Sequence, residues 1–365
     1  MATKRILTII GTRPNFIKVT QFRKAAALNK NIALEIIHTG QHFDGKMADV
    51  FFEQFGLTPD HFLNVPPGSP NSQIAEIMLR LEKIIADQKP DMMLVVGDVN
   101  STLAASITAN KTGVKLAHIE SGLRSNDRTM PEEFNRLVTD ELSDLLFVTE
   151  QSGLDNLQRE GKNAASIHFV GNTMIDTMVA FAPQIDASPV IRDMNLHEKG
   201  FVLMTMHRPA TVDTKEGLEK LLALLEEVTQ QYDVVFPVHP RTVNHLKKFD
   251  LHERLSGNSR IKLTEPLDYF AFQKLIKCCK FILTDSGGIQ EESTFLQVPC
   301  LTLRPNTERP VTVTLGSNEL LPFDIQTIRE KIKEIESGSF KKGAIPPLWD
   351  GKATERIFEI LSRTL

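Results

Sequence analysis

Short, continuous apolar runs alternate along this chain with segments of helical periodicity. Met93–Val96 is such a run, and Ser72–Asp87 before it repeats apolar residues at helical spacing. The predicted strands are, in chain order, Ile6–Ile10, Leu34–Ile37, Met93–Val96, Leu116–His118, Leu145–Val148, Ile167–Val170, Val202–Thr205, Val234–Val238, Ile261–Leu263, Phe281–Thr284 and Cys300–Leu303. Apolar strands that alternate with helices form parallel sheets covered on both faces. The sequence therefore predicts an α/β protein with two Rossmann-like domains.

The chain of 365 residues is long enough for two domains of ordinary size. We predict an amino-terminal domain over residues 1–170 and a carboxyl-terminal domain over residues 171–351, with the break near Gly171. A proline-rich segment, Pro346–Gly351, precedes the last helix, and we expect residues 352–365 to pack back on the first domain. The cleft between two such domains is the expected ligand site.

Composition narrows the classes of partner. A net charge of −4 and a pI near 6.2 argue against nucleic acid as the main partner. Cys278, Cys279 and Cys300 have neither zinc-site nor disulfide spacing, and no histidines have metal-ligand spacing, so we expect no metal ion. The first residues run straight into a strand, and no apolar run reaches membrane length. These features predict a cytoplasmic protein that does not enter membranes.

The segment Asp285–Glu292 carries the clearest ligand signal. The residues of its strand-to-helix turn are Ser286, Gly287 and Gly288. A ligand can approach such a turn closely and meet the free N–H groups of the first helical turn, a position that suits phosphate oxygens. Glu292, one turn into the helix, can accept hydrogen bonds from ribose hydroxyls. Arg304 and Arg309 on the next strand's proline-stiffened loop indicate a pyrophosphate clamp, although glycines that serve chain geometry alone are an alternative.

Charged residues also follow predicted strands in the first half. Arg13 and Lys18 follow the first strand in a turn without the Gly-x-Gly-x-x-Gly pattern, which disfavours NAD. Asp98 follows Met93–Val96, and Glu120 follows the next strand. Catalytic groups concentrate at such strand ends, so these carboxylates are candidates for proton transfer. For Arg13 and Lys18, ordinary surface charge is the alternative.

Two glutamates and three histidines complete the candidate set. Glu132 and Glu133 open a helix, where the helix dipole alone also explains them. His207 leaves the Val202–Thr205 strand and is the better catalytic candidate, whereas His239, at the end of the next strand, is the better scaffold candidate. His42 is a polar group at another predicted strand end.

These segments, in this order, resemble the non-hydrolysing UDP-N-acetylglucosamine 2-epimerases and span nearly the whole chain. The matching blocks are Gly11-Thr12-Arg13-Pro14, Thr39-Gly40-Gln41-His42, Gly97-Asp98, His118-Ile119-Glu120-Ser121-Gly122-Leu123-Arg124, Pro131-Glu132-Glu133-Phe134-Asn135-Arg136, His207-Arg208, His239-Pro240, Asp285 to Glu292 and Thr307-Glu308-Arg309-Pro310. The resemblance implies a GT-B-like fold, as in many nucleotide-sugar glycosyltransferases, a homodimer, and an isomerase without a cofactor. It also implies a reaction in which UDP is eliminated to leave a glycal and then adds back, with the proton returned to the opposite face of C2.

The resemblance further assigns residues to roles on a UDP-sugar. The residues implied to bind the substrate or its UDP are Arg13, Lys18, Arg136, Ser286, Gly287, Gly288, Glu292 and Arg309. The residues implied to transfer protons or position the sugar are Asp98, Glu120, Glu132 and His207. Which carboxylate is the base in each half-reaction stays open.

The chain departs from the family pattern at several places. Asn15 stands where an acidic residue is expected, and Val99 follows Gly97-Asp98 where threonine is usual. Pro209-Ala210-Thr211 replaces an Arg/Gln-Glu-Asn run, and Val311 replaces a glutamate. The last two departures count against allosteric regulation by a second UDP-sugar, and all of them leave room for a different sugar.

The first functional hypothesis is a UDP-N-acetylglucosamine 2-epimerase that supplies UDP-N-acetylmannosamine for surface polysaccharide. The second is the same reaction on UDP-2,3-diacetamido-2,3-dideoxy-glucuronate, because residues 11–18 and 38–44 look somewhat like enzymes for that sugar. Its C6 carboxylate would require an additional cation. A GT-B glycosyltransferase, a hydrolysing epimerase and an inactive UDP-sugar-binding protein are the remaining alternatives.

Overall fold

Two separate parallel sheets organise the chain in the computed structural model, which describes residues 3–41 and 51–365. The strands of the first sheet are β1 (Lys4–Ile10), β2 (Ile32–His38), β3 (His61–Phe62), β4 (Met92–Val96), β5 (Lys115–Ser121), β6 (Leu145–Val148) and β7 (Ile167–Phe169). The strands of the second are β8 (Phe201–Thr205), β9 (Asp233–Pro237), β10 (Ile261–Thr264), β11 (Ile282–Thr284), β12 (Cys300–Thr302) and β13 (Asn318–Leu320). Every paired strand runs parallel to its neighbour. The predicted α/β architecture with two parallel sheets is confirmed.

Helices connect successive strands in both halves. In the first half they are Arg13–Lys18, Phe22–Leu28, residues 51–55, Pro70–Gln88, Asn100–Thr112, Pro131–Leu142, Gln151–Arg159, Thr173–Ala180 and the last helix, Ala353–Thr364, with a 3-10 turn at Ala164–Ser166. In the second half they are Ala182–Ala187, Val190–Asp193, Pro209–Val212, Lys215–Val228, Pro240–Lys248, His252–Ser256, Tyr269–Cys278, Gly287–Phe295, Pro310–Thr314 and Ile325–Ser337. No helix in the described ranges is long and apolar enough to cross a bilayer.

The elements follow from local chemistry and burial. All five residues of β4 are fully buried, as expected for a central strand covered on both faces. Helix Pro70–Gln88 begins where the Ser69 hydroxyl accepts a hydrogen bond from the Ser72 N–H, and its Ile77 and Leu81 are buried in the core with β4. The strands β3 and β13 are absent from the predicted set, because β3 has only two residues and β13 begins with Asn and Glu, so neither forms a continuous apolar run.

The chain divides into a first unit, Met1–Ala180 with Pro347–Leu365, and a second unit, Phe181–Pro346. The chain passes to the second unit after helix Thr173–Ala180, ten residues beyond 170. Within the first unit, the Trp349 indole N–H donates to the Thr149 carbonyl at 2.9 Å, and the Phe358 ring meets Phe22 edge-on. The segment after residue 346 is thus anchored by contacts to the first unit.

Each sheet has one point where the strand order reverses. In the first sheet the order is β3-β2-β1-β4-β5-β6-β7. The strands β2 and β3 lie on one side of β1 and the strands β4 to β7 on its other side, so the order reverses between β1 and β4. In the second sheet, with the order β10-β9-β8-β11-β12-β13, the same reversal falls between β8 and β11. Open α/β sheets bind ligands beyond the carboxyl ends of such strand pairs. The fold therefore marks one candidate position in each unit.

Candidate active site

In the first unit, four predicted site residues lie around the β1–β4 reversal. Arg13 and Lys18 belong to the helix after β1, Asp98 follows β4, and Glu120 is near the end of the adjacent β5. Arg13 and Lys18 are far in sequence from Asp98 and Glu120, and the sheet order brings the ends of their strands together.

Gly97 lies at the centre of this arrangement. Its φ of 68° is a left-handed conformation that favours glycine. A Cβ atom there would lie 3.3 Å from Asn15 Nδ2, 3.3 Å from Glu120 Oε2 and 3.7 Å from Lys18 Nζ. The absence of a side chain at position 97 thus lets three polar side chains converge on the turn. Asn15, where the family pattern has an acid, uses its amide to donate to the Val96 carbonyl and to accept from the Thr12 hydroxyl.

Lys18 and Glu120 form a buried ion pair. Lys18 Nζ lies 2.5 Å from Glu120 Oε2, and the side chains are 5% and 3% exposed. Glu120 Oε1 is buried and has no hydrogen-bond partner in the described part of the chain. The Glu120 backbone also has a φ of 71°, which is uncommon for a residue with a side chain and is typical of functional positions. The ion pair compensates the charge that burial would penalise, and one carboxylate oxygen is left for another partner.

Asp98 is held from helix Pro131–Leu142. The Arg136 guanidinium donates to Asp98 Oδ2 through Nε and Nη2 at 3.0 and 2.7 Å, and Asn135 Nδ2 donates to the Asp98 carbonyl at 2.8 Å. Arg136 Nη1 also donates to the buried Glu133. In this structure Arg136, predicted to bind substrate, is engaged in orienting Asp98.

The neighbouring glutamates of that helix have different surroundings. Glu132 is exposed, whereas Glu133 is buried and accepts hydrogen bonds from the Ser125 and Asn126 N–H groups. Burial alone would raise the pKa of Glu133, but the hydrogen bonds from this loop and the Arg136 charge lower it below its usual value. Glu133 therefore stabilises the loop that precedes the helix. Arg13 is half-buried, with its guanidinium carbon 4.1 Å from the centre of the Phe51 ring.

In the second unit, Asp285 organises the β8–β11 reversal. One carboxylate oxygen accepts hydrogen bonds from the His207 and Arg208 backbone N–H groups at 2.9 and 2.8 Å. The other lies 2.9 Å from His207 Nδ1. Burial would raise the pKa of Asp285, yet the contacts with His207 and Arg208 hold it below the usual value. An ionised Asp285 beside Nδ1 favours the proton on that nitrogen, which leaves Nε2 of the half-exposed His207 available for a ligand.

Ser286 and the two glycines begin helix Gly287–Phe295. The Ser286 hydroxyl does not cap the helix, and no acidic side chain occupies its first turn. A Cβ on Gly287 would lie 2.9 Å from Glu308 Oε1 and 3.0 Å from Arg309 Nη1. Arg309 thus reaches the helix start, as the predicted phosphate site requires, but it also contacts Glu291 and Glu308. Glu308 also accepts from Arg304, so both arginines of the predicted clamp are engaged with carboxylates.

Glu292 and His239 occupy defined positions nearby. Gln273, which is buried, donates to Glu292 Oε1 at 2.5 Å and holds the carboxylate predicted to bind the ribose. His239 caps helix Pro240–Lys248, since its Nδ1 accepts from the Arg241 N–H. Burial lowers the pKa of His239, and the neighbouring His207 and Arg241 lower it further. His42 lies outside the described residues.

Three contributors have little signal in the sequence. Asp285 and Glu308 lie in recognised motifs, but the motifs do not show that Asp285 pairs with the residues after β8 or that Glu308 pairs with Arg304. Gln273 comes from a separate helix outside these motifs. Among the described residues, no three His, Cys, Asp or Glu side chains are grouped so that they could hold a metal ion.

Both units are doubly wound and have charged residues at the strand reversal, and in the second unit these residues lie at a helix that begins with two glycines. This combination defines a nucleotide-binding α/β enzyme. More specifically, the chain belongs to the UDP-N-acetylglucosamine 2-epimerase family, whose model matches residues 24–362. The predicted family and the predicted enzyme class, a nucleotide-sugar epimerase, are confirmed.

Similar proteins cover the whole chain. A UDP-N-acetylglucosamine 2-epimerase of Methanocaldococcus jannaschii is 39% identical, over 98% of this chain and 99% of the relative. The UDP-2,3-diacetamido-2,3-dideoxy-D-glucuronate 2-epimerase of Pseudomonas aeruginosa is 38% identical, again over 98% and 99%. The crystal structure of the M. jannaschii enzyme in complex with UDP-GlcNAc and UDP matches with a TM-score of 0.88, over 98% of this chain and 99% of that one. The two identities differ too little to choose between the two sugars.

Proposed function

We propose that this protein interconverts UDP-N-acetylglucosamine and UDP-N-acetylmannosamine by elimination and re-addition of UDP, with proton exchange at C2. The observation that carries the mechanism is the buried Lys18–Glu120 pair beside Gly97 and Asp98, with Glu120 Oε1 lacking a partner among the described residues. Elimination next to an acetamido group requires a base that is close, ionised and shielded from water. The Glu120 carboxylate meets these requirements because Lys18 compensates its charge.

We assign UDP binding to the second unit. The N–H groups at the start of helix Gly287–Phe295 suit phosphate oxygens, and Arg309 lies beside them. Glu292, held by Gln273, can accept hydrogen bonds from the ribose hydroxyls. These donors stabilise the negative charge on UDP as it departs, which is the charge that develops in the transition state.

The proposed steps balance in both directions. Glu120 Oε1 takes the C2 proton, the electrons of the C–H bond form the C1–C2 double bond, and the C1–O bond breaks with its electron pair on UDP. In the return step the electron pair of the C1–C2 double bond takes a proton from an acid on the opposite face of C2, and a phosphate oxygen of UDP forms the new bond to C1. Glu120 then gives its proton to water, and the acid regains one from water. Asp98 is the proposed acid of that step, because Arg136 holds it through Oδ2 and so fixes the direction of the carboxyl group. We keep Glu132 and His207 as proposed sugar-positioning or proton-transfer residues, with His207 oriented by Asp285.

Proton NMR with UDP-N-acetylglucosamine in D₂O tests the reaction. We expect UDP-N-acetylmannosamine to appear with deuterium at C2, and Glu120→Gln to abolish both signals while UDP binding persists. The matched control is Glu76→Gln, which removes a carboxylate from an exposed pair with Arg80 and should retain full activity. Deuterium exchange that survives in Glu120→Gln would contradict the assignment of the base.

The second candidate is the same chemistry on UDP-2,3-diacetamido-2,3-dideoxy-glucuronate, favoured by the 38% identity to the P. aeruginosa enzyme for that sugar. Parallel incubations with both UDP-sugars decide between them through kcat/KM. A protein that turns over only the uronate shifts the proposal to that substrate. Release of free N-acetylmannosamine indicates a hydrolysing enzyme, and saturable UDP binding without turnover of either sugar favours a transferase.

The homodimer and the cytoplasmic location stay predictions, and light scattering tests the predicted homodimer.

A further inference from the structure

His118 is a fully buried histidine next to the proposed proton-transfer residues. It lies on β5 two residues before Glu120. Its Nδ1 is 2.6 Å from Asp140 Oδ1, and its Nε2 is 2.8 Å from the Gly97 carbonyl oxygen. A backbone carbonyl oxygen can only accept a hydrogen bond, so the contact with Gly97 places a hydrogen on Nε2. Nδ1 then pairs with the Asp140 carboxyl group.

Asp140 holds the ring from its Nδ1 side. It is fully buried, its Oδ2 accepts from the Gly122 N–H at 3.0 Å, and Arg124 Nη2 lies 2.7 Å away. Burial would raise the pKa of Asp140, but His118, Arg124 and the Gly122 N–H together hold it below its usual value. Arg124 in turn pairs with the exposed Glu160. Asp140, Arg124 and Glu160 thus form a chain of ion pairs behind the His118 ring.

The imidazole fixes the turn that carries Asp98. The Gly97 N–H donates to the Ile119 carbonyl at 3.0 Å, and the Gly97 carbonyl accepts from His118. Both backbone groups of this left-handed glycine are therefore tied to adjacent residues of β5. Rotation of the turn would have to break both hydrogen bonds.

One helix supports both carboxylates. Arg136, which orients Asp98, and Asp140, which orients His118, are four residues apart on helix Pro131–Leu142 and so lie on the same face. Asp98 is thereby held through its side chain by Arg136 and through its backbone by His118. Glu120 follows His118 on the same strand, so a shift of the ring would disturb the relative placement of both acids.

We propose that His118 is a positioning residue that, held by Asp140, locks the Gly97–Asp98 turn and sets the Asp98 carboxylate for proton transfer at C2. This inference rests on the proposed function, because it assigns a step to Asp98. His118 itself is enclosed and does not touch the substrate in this scheme. The part of its ring that matters for turnover is the Nε2–H group directed at Gly97.

A pair of isosteric double variants isolates that N–H group. In His118→Gln/Asp140→Asn, the glutamine Nε2 takes the place of the imidazole Nε2 and can still donate to Gly97, and its oxygen can accept from the new asparagine. In His118→Asn/Asp140→Asn, the side chain is one methylene shorter and reaches only position 140. Both pairs remove the same charges, so they differ chiefly in the hydrogen bond to Gly97.

We expect the His118→Asn pair to have a kcat about 100-fold below that of the His118→Gln pair, since misplacement of a reacting group by about 1 Å costs on that order. The KM and the Kd for UDP should be alike in the two variants, and so should their melting temperatures. Equal kcat values in the two variants would overturn the positioning role. Loss of folding in the asparagine pair alone would assign His118 to stability rather than to positioning.

A measurement on the wild-type protein completes the test without any substrate. Nitrogen-15 NMR of the histidine rings should show a hydrogen on Nε2 of His118, identified by the signal that Asp140→Asn perturbs. A ring that carries no hydrogen on Nε2 would overturn the proposal. Wild-type protein that leaves both UDP-sugars unchanged would instead refute the proposed function, and the two failures are therefore distinguishable.

Discussion

Breaking the Lys18–Glu120 pair should destabilise the first unit more than any surface ion pair does. The two side chains are almost fully buried and in direct contact. Removing one partner of such a pair leaves an uncompensated charge in the interior and costs about 3–5 kcal/mol. Replacing both by apolar residues of similar size is often close to neutral. We therefore expect Lys18→Met and Glu120→Met each to lose about 3–5 kcal/mol, and the double variant to lose much less than their sum.

The size of the first unit converts this loss into a temperature shift. For a domain of roughly 200 residues, each kcal/mol lowers the melting temperature by about 2–4 °C. Each single variant should then melt roughly 6–20 °C below the wild type. The matched control is Glu76→Met, which breaks the exposed pair with Arg80 and should cost less than about 0.5 kcal/mol.

The assay has to report on the first unit by itself, because a chain with two units need not unfold in one step. Hydrogen exchange read by mass spectrometry on peptides from β1 and β4 provides that, with calorimetry as the global measure. Single variants that lose less than about 1 kcal/mol would refute the reasoning. A double variant as unstable as the sum of the singles would show that the two charges do not compensate each other.

Three further predictions rest on other contacts. Gly122→Ala should unfold or severely destabilise the first unit, since its Cβ would lie 2.3 Å from a backbone oxygen of helix Gln151–Arg159. The control is Gly113→Ala, where φ is similarly positive but the space around the glycine is open. Equal melting temperatures of the two variants would contradict the steric argument. Asp285→Asn should lower the stability near neutral pH, and this loss should vanish on acidification. A carboxylate whose pKa is lowered in the folded state stabilises the protein above its unfolded-state pKa, and it loses that contribution as the pH falls through its folded-state pKa. Melting curves down to about pH 3 measure the loss, and a loss independent of pH would exclude His207 and its neighbours as the cause. Burial raises the pKa of the Cys300 thiol to about 11, so a disulfide reagent should label it in urea and hardly at all in the native protein.

Much of the architecture follows from the sequence alone. Continuous apolar runs such as Met93–Val96 correspond to central strands, because a strand covered on both faces has no polar positions. The ordered motifs at strand ends identify the family even without coordinates. The strand ends also locate Asp98, Glu120 and Ser286, since parallel strands all end at the same edge of their sheet.

The roles of individual side chains depended on the tertiary structure. Glu132 and Glu133 are adjacent and identical in type, yet one is exposed and the other buried, because a helix rotates by about 100° per residue and only the packing of the helix fixes its inner face. The sequence predicts that Arg309 binds phosphate, whereas the structure places its guanidinium in contact with Glu291 and Glu308. A linear pattern records which groups are present and not which of them pair.

What the sequence by itself determined was therefore the fold class, the family and the strand ends where charged residues gather. What only the tertiary structure decided was how these groups are paired: Lys18 with Glu120, His207 with Asp285, and His118 with Asp140 and Gly97. Secondary structure depends on patterns of neighbouring residues, which a sequence displays. Buried charges are compensated by partners distant in the chain, and only the packed sheets bring these partners within hydrogen-bonding distance.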